Sequence, residues 1–364
     1  MRRLTVVSHF FNEEYLLPLW LRHHREIFDH GVLLDYGSTD ASAQICRELV
    51  PTWEVRPSRN AHFSASAVDL EVMDVERELS GWKIALNTTE FFCCSDVDQL
   101  LRELSRKPVS GAYVRGVVMA DRPETKDRPL DPALPLVAQR TDGYYESDFP
   151  TGAGGSLARS RLLHRRSDGA YNVGRHTSFR HAIVRHPPEA LVLWYAFSPW
   201  TPETRARKLQ IQQRIPGAEK SGHGGAAVFG TQHLVDETQL NAKWKVAADK
   251  ARDLSQEADF RRIVAPPNGM HRRRLTPPDR GGIRLQIAEL SATRKQVLHP
   301  PLRRAAAVEN LAQAYELAAG RAFAKSRRQA ALALLGDGRV RLRALVTVVS
   351  PRIALALRKA TARA

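Results

Sequence analysis

The chain has 364 residues, 43% of them hydrophobic and 26% charged, and a formal net charge of +16. That is the composition of a globular protein and excludes a disordered or fibrous one. Three cysteines, Cys46, Cys93 and Cys94, are too few for a disulfide framework and match no zinc spacing, which fits a reducing, cytoplasmic setting.

The N-terminal "MRRLTVVSHFFNEEY" reads as a first strand and not as a signal peptide, because Glu13 and Glu14 follow its short apolar patch without a small-residue cleavage site. A strand is predicted at 4–10, where β-branched residues cluster, and a helix within 12–27, with Leu16, Leu17, Trp20, Leu21 and Ile27 at helical spacing. A short buried strand precedes "DYGSTD", a helix starts near Ser42, and 53–58 is a further strand. A helix over 64–80 ends at Gly81, "WKIALN" is the next strand, "VDQLLREL" the next helix, and 111–120 another strand. This alternation predicts an α/β fold with a largely parallel sheet flanked by helices. In such sheets ligands lie beyond the carboxyl ends of the strands. Three polar clusters fall at that edge: Asn12-Glu13-Glu14, Asp35 through Asp40, and Asn87 through Glu90.

Between 121 and 150 the chain is rich in Pro and Asp, the pattern of a long surface loop, and Gly-rich stretches follow. No internal repeat is visible. The predicted boundary lies at 240, with helices expected around 302–335 and 339–360. Residues 241–364 hold 26 basic and 9 acidic residues, a net of +17, and leave residues 1–240 at −1. Either an anionic partner or a coding bias toward Arg and Ala accounts for this asymmetry. The tail suits a helix lying on an anionic membrane surface, and equally helices packed on the first domain. No uncharged run reaches the roughly 18 residues needed to cross a bilayer. No motif supports nucleic-acid binding, which rests on charge alone.

The segment "FFNEEYLLPLWLRHHREIFDHGVLLDYGSTDAS" resembles the opening of glycosyltransferase family 2, in the branch reading N-E-x-x-x-L-x-x-W-x-x-H-H and then D-x-G-S-T-D. "GWKIALNTTEFF" resembles that branch's W-x-x-x-x-D-x-D-E-F, so the likeness covers about the first 95 residues. It implies a GT-A (Rossmann-like) domain over 1–240 that binds a nucleotide-sugar donor and transfers the sugar, with inversion, to a glycan or lipid-linked acceptor of the cell envelope. Asn12 and Glu13 would lie near the nucleoside, Asp35 would accept from the base, Gly37 would let the backbone turn closely past the ligand, and Ser38, Asp40, Asn87 and Thr89 would complete the donor-binding set. Ser38, Thr39 and Asp40 also suit a helix cap.

The family's aspartate pair holds Mg²⁺ or Mn²⁺; its positions here are Asn87 and Thr89, neither of which can ionise. Glu90 and His233 are the remaining ligand candidates. Asp96-Val97-Asp98 has the pair's spacing, but the pattern of a helix N-cap is the better reading. Three outcomes stay open: a divalent site using Glu90, metal-free transfer with basic groups facing the diphosphate, or a binding-only relic. For the general base of an inverting transfer, Asp148 comes first, with Glu146 and His176 as alternatives. Arg175 beside His176 suits a phosphate. Trp194, Tyr195 and Trp200 could stack on a sugar, though aromatic core is the safer reading.

Overall fold

The computed structural model describes residues 3–145, 159–172, 174–178, 183–215 and 235–264, all within one compact unit. Strands β1 (Leu4–Phe10), β2 (His30–Asp35), β3 (Glu54–Pro57) and β4 (Trp82–Asn87) alternate with helices α1 (Leu17–His24), α2 (Ser42–Leu49) and α3 (Ala65–Glu78). They lie in the order β4-β1-β2-β3 and every neighbouring pair is parallel. β1 and β2 are almost wholly buried, because helices on both faces require apolar residues at successive positions. The predicted α/β class and the bounds of these elements hold to within a few residues.

Beyond Asn87 the chain makes a two-residue turn and enters β5 (Glu90–Cys94). α4 (Val97–Arg106) and the long β6 (Gly111–Ala120) follow, then α5 (Leu136–Gln139), β7 (Asp142–Tyr145), β8 (Arg161–His164), β9 (Ile183–Arg185) and β10 (Ala190–Phe197). β8 is antiparallel to both β4 and β6, so β6 runs in the same sense as β4. β10 runs parallel to β6 and antiparallel to β5. The carboxyl ends of β1, β2, β4, β6 and β10 therefore share one edge of the sheet with the start of β5.

Asp96 is the N-cap of α4 and accepts a hydrogen bond from the Gln99 amide at 2.8 Å. Capping, expected at this cluster, is thus its local role. Asp96→Ala is expected to cost about 1 kcal/mol, read from the urea midpoint at unchanged slope.

α6 (Pro202–Gln210) crosses the shared edge, and α7 (Glu237–Lys250) starts at a capping box on Asp236. The expected boundary at 240 falls inside α7. Trp244 of that helix is buried against Trp200, stacked at 5.5 Å, and its indole N–H donates to the Asp121 carbonyl at 2.9 Å. β11 (Arg252–Asp253) then pairs with β7, and α8 (Ala258–Val264) buries Phe260 and Ile263 in the main core. The sheet needs these apolar faces as cover. The helices expected at 302–335 and 339–360 lie outside the described residues.

Candidate functional site

Two loops at the shared edge are stitched together by polar groups. After β1, Asn12 takes a left-handed conformation (φ 49°), and its side-chain oxygen accepts from the Thr39 amide at 2.8 Å. The Asn12 amide donates to the Ser38 hydroxyl at 3.1 Å, and the Glu13 amide to the Ser42 hydroxyl at 2.7 Å. Asp40 accepts from the amides of Glu14 (3.1 Å) and Ser42 (3.0 Å). After β2, half-buried Asp35 accepts from the Ser38 amide at 2.8 Å. Asn12, Glu13, Asp35, Ser38 and Asp40 are therefore brought into one cluster. The same polar groups that suit a ligand also hold the loops, since short polar side chains readily accept from nearby backbone N–H groups that have no strand or helix partner.

Between Asp35 and Ser38 sits Gly37, at φ 77°. A β-carbon added there would meet no atom within 4 Å beyond its chain neighbours, so the backbone borders open space. Only glycine, or at some cost asparagine or aspartate, takes this conformation readily.

α6 closes over the loop after β1. Arg207 pairs with Glu13 at 2.6 Å, and Gln210 donates to the carbonyls of Phe11 (3.3 Å) and Asn12 (3.0 Å). Burial pushes the Glu13 carboxyl up from its ordinary range, and Arg207 opposes that shift. Just beyond the helix, the Arg214 guanidinium lies 4.4 Å from the Phe11 ring and 5.0 Å from the Tyr36 ring.

The strand end at Asn87 is built around two buried guanidinium groups. Glu90 accepts from the Asn87 amide at 2.8 Å and forms a bidentate pair with Arg161, Nε to Oε2 at 2.7 Å and Nη2 to Oε1. The two side chains are only 3% and 2% exposed, and the pair lies in the core. Arg175 donates through Nη2 to the Asn87 side-chain oxygen at 2.6 Å and through Nη1 to Asp69 at 2.5 Å. Asp69 also accepts from the Gly174 amide at 2.7 Å. Thr89 is buried, and its carbonyl accepts from the Tyr195 amide at 2.8 Å. Breaking one partner out of such a buried pair costs about 3–5 kcal/mol. Its geometry is therefore hard to convert to another use.

His176 lies beside this cluster, its Nδ1 3.3 Å from Arg161 Nη1 and from the Ser160 carbonyl. Burial and the Arg161 and Arg159 charges push its pKa down to about 2, so the ring stays neutral and accepts protons weakly. Tyr195 is fully buried and donates its hydroxyl to the Arg140 carbonyl at 3.0 Å. Tyr195 and Trp200 are core. Half-buried Trp194 is faced by Arg159 at 4.1 Å and by Lys208 at 6.0 Å. Asp148, Glu146 and His233 lie outside the described residues.

The W-x-x-H-H element has a local role. β5 pairs with β10 on one edge, and α1 supplies side chains to its other edge. Trp20 donates to the Glu90 carbonyl at 2.8 Å. His23 Nε2 lies 2.8 Å from the Phe92 carbonyl. The Phe92 amide donates to His24 Nε2 at 3.1 Å, which leaves the His24 proton on Nδ1, 2.9 Å from the Trp20 carbonyl. His24 is thus a neutral ring of one tautomer, and burial holds its pKa well below the ordinary value. These three side chains fix where Glu90 starts its strand.

Arg161, Asp69, Arg207, Lys208 and Arg214 were not legible as site residues, because arginine is spread throughout this chain. Their partners are far away in sequence, and no local pattern marks them.

No family model matches the chain, and no curated protein matches it. Among solved structures it is similar to TarS of S. aureus at 11% identity and a TM-score of 0.35, over 92% of this chain and 52% of that one. The chain thus spans about half the length of that TarS chain. TarS 1-349 in complex with UDP aligns over 99% of this chain and 92% of that one, at 11% identity and a TM-score of 0.35. Glucosyl-3-phosphoglycerate synthase of Mycobacterium tuberculosis, in complex with Mn²⁺, UDP and glucosyl-3-phosphoglycerate, aligns over 60% and 82%, at 13% and a TM-score of 0.29. These likenesses are loose, and the functional reading rests on the chain's own residues.

Proposed function

We propose that the chain is a glycosyltransferase of GT-A type, which takes a nucleoside-diphosphate sugar and moves the sugar to a glycan or lipid-linked acceptor with inversion. The observation that carries this reading is the stitched pair of loops around Gly37. Asn12 and Asp35 reach that place from adjacent parallel strands, at the edge where α/β sheets bind ligands. One Asp35 oxygen holds the Ser38 amide, and the carboxylate's remaining capacity suits a base N–H. Arg214, held over Phe11 and Tyr36, offers a planar cation beside the same loop. With the His176 ring held neutral among guanidinium groups, Asp148 is the preferred general base. The basic C-terminal segment would hold the enzyme on the inner face of an anionic membrane.

Titration of UDP and GDP into the full chain tests the donor site. Asp35→Ala is expected to weaken the preferred nucleotide by about tenfold or more, the worth of a hydrogen bond to a charged group. Unchanged affinity in that variant would remove Asp35 from the site. A second reading, nucleotide binding without turnover, is favoured by the neutral Asn87 and Thr89. Donor hydrolysis by wild type but not by Asp148→Ala would exclude it, and absence of turnover with every donor would support it.

A further inference from the structure

The resemblance brings with it a divalent cation, and the side chains at the end of β4 do not suit one. Mg²⁺ and Mn²⁺ bridging a diphosphate take carboxylate oxygens. Asn87 and Thr89 provide neutral oxygens, and the Asn87 side-chain oxygen is already held by Arg175 at 2.6 Å. Both Glu90 oxygens are held by Arg161, with the Asn87 amide on one of them at 2.8 Å. A metal ion could use Glu90 only by displacing a guanidinium from the core. Among the described residues, no group of three or more His, Cys, Asp or Glu side chains gathers as a ligand set.

The charges of Arg161 and Arg175 are each balanced by one buried carboxylate, Glu90 and Asp69. Arg207 is likewise balanced by Glu13. Lys208, the next residue on α6, has no ion pair with the described residues. Its ammonium lies 5.1 Å from the Phe197 ring and 6.0 Å from the Trp194 ring, at the carboxyl end of β10. Trp194 stands opposite Glu90 in the β5–β10 register. Arg207 and Gln210 share the α6 face that lies on the loop after β1, and Lys208 beside them is near enough to Glu13 of that loop for the two charges to shift one another. An anion bordered by the Asn12 loop and the start of β5 would therefore meet this amine.

We propose that, if the glycosyltransferase reading is right, this site binds the donor diphosphate without a divalent cation, its charge met by the Lys208 ammonium. Desolvation and the positive charge of Arg207 lower the Lys208 pKa to about 7, with Arg159 and Lys243 adding to the effect and Glu13 opposing it. An amine so placed gains a full charge when an anion arrives, a proton uptake that a metal site would not need.

The test is calorimetric titration of UDP and GDP into the full chain, in EDTA and in Mn²⁺ or Mg²⁺, with wild type, Lys208→Met and Lys208→Arg. Wild type is expected to bind the preferred nucleotide with Kd unchanged within about twofold by metal. Lys208→Met should weaken binding at least tenfold in EDTA, and Lys208→Arg, which keeps a charge and controls for folding, should retain it. Phosphate groups are fully ionised above pH 7, their second pKa being about 6. Only the protonated amine binds well, so wild-type Kd should rise as pH goes from 7 to 9, and Lys208→Arg should lack that rise. Binding that needs Mn²⁺ or Mg²⁺, or a Lys208→Met variant as tight as wild type, overturns the proposal while leaving the glycosyltransferase reading intact. Binding of neither nucleotide under any condition overturns both.

Discussion

Replacing Arg161 by Met is expected to lower the stability of the protein by about 3–5 kcal/mol. The guanidinium holds both oxygens of Glu90 and, through Nη1, the Gly174 carbonyl at 2.6 Å, with His176 Nδ1 at 3.3 Å from the same nitrogen. Without it Glu90 is left as a buried carboxylate with two amide contacts from Asn87 and no counter-charge. The cost of that unpaired charge exceeds anything the added methionine burial returns. Urea denaturation of wild type and Arg161→Met at pH 7 measures the loss. The double variant Arg161→Met with Glu90→Leu should recover most of it, because an apolar pair of similar volume removes both charges together. A single variant within about 1 kcal/mol of wild type would mean that Glu90 can reach water or another cation, contrary to its 3% exposure.

The second large effect concerns binding at nearly constant stability. Gly37→Asn is expected to fold with a loss of about 1 kcal/mol, since asparagine tolerates the left-handed region better than other side chains do. The new side chain would project into the space beside residue 37, where an added β-carbon meets no atom within 4 Å beyond its chain neighbours. If that space holds the nucleotide, affinity for UDP or GDP should fall at least tenfold. Gly37→Val makes the complementary case. A β-branched residue at φ 77° is strained, so the loop should lose stability as well as affinity. Gly37→Asn with wild-type affinity would show that no ligand borders this glycine, and the donor site would have to be sought elsewhere along the sheet edge.

The local pattern carried the first half of the domain. A β-branched run at 4–10, an apolar run at 84–86, apolar residues at helical spacing around Trp20, and the glycine after α3 are signals within a few residues of one another. They describe what the backbone does before any long-range contact forms. The Asp96 cap is of the same kind, its acceptor three residues from its donor. The strand after Asn87 was less visible. An apolar run broken by two threonines does not reveal that β5 turns from β4 to pair antiparallel with β10, almost a hundred residues later. Likewise the basic count of 241–364 suggested a separate half, yet 241–264 completes the sheet's cover, because an apolar helix face such as that of Trp244 needs a core to bury it.

The sequence by itself determined the parallel strand order's ingredients, the polar clusters at the strand ends, and the neutral side chains at 87 and 89. Only the tertiary structure decided what those ends hold. Glu90 met Arg161 across 71 positions and Arg175 met Asp69 across 106, pairings that depend on which strands become neighbours. A charge's effect falls off with distance in space and not along the chain, and burial multiplies it. Which arginines are neutralised, and that Lys208 has no ion pair among the described residues, therefore becomes readable once the sheet has brought them together.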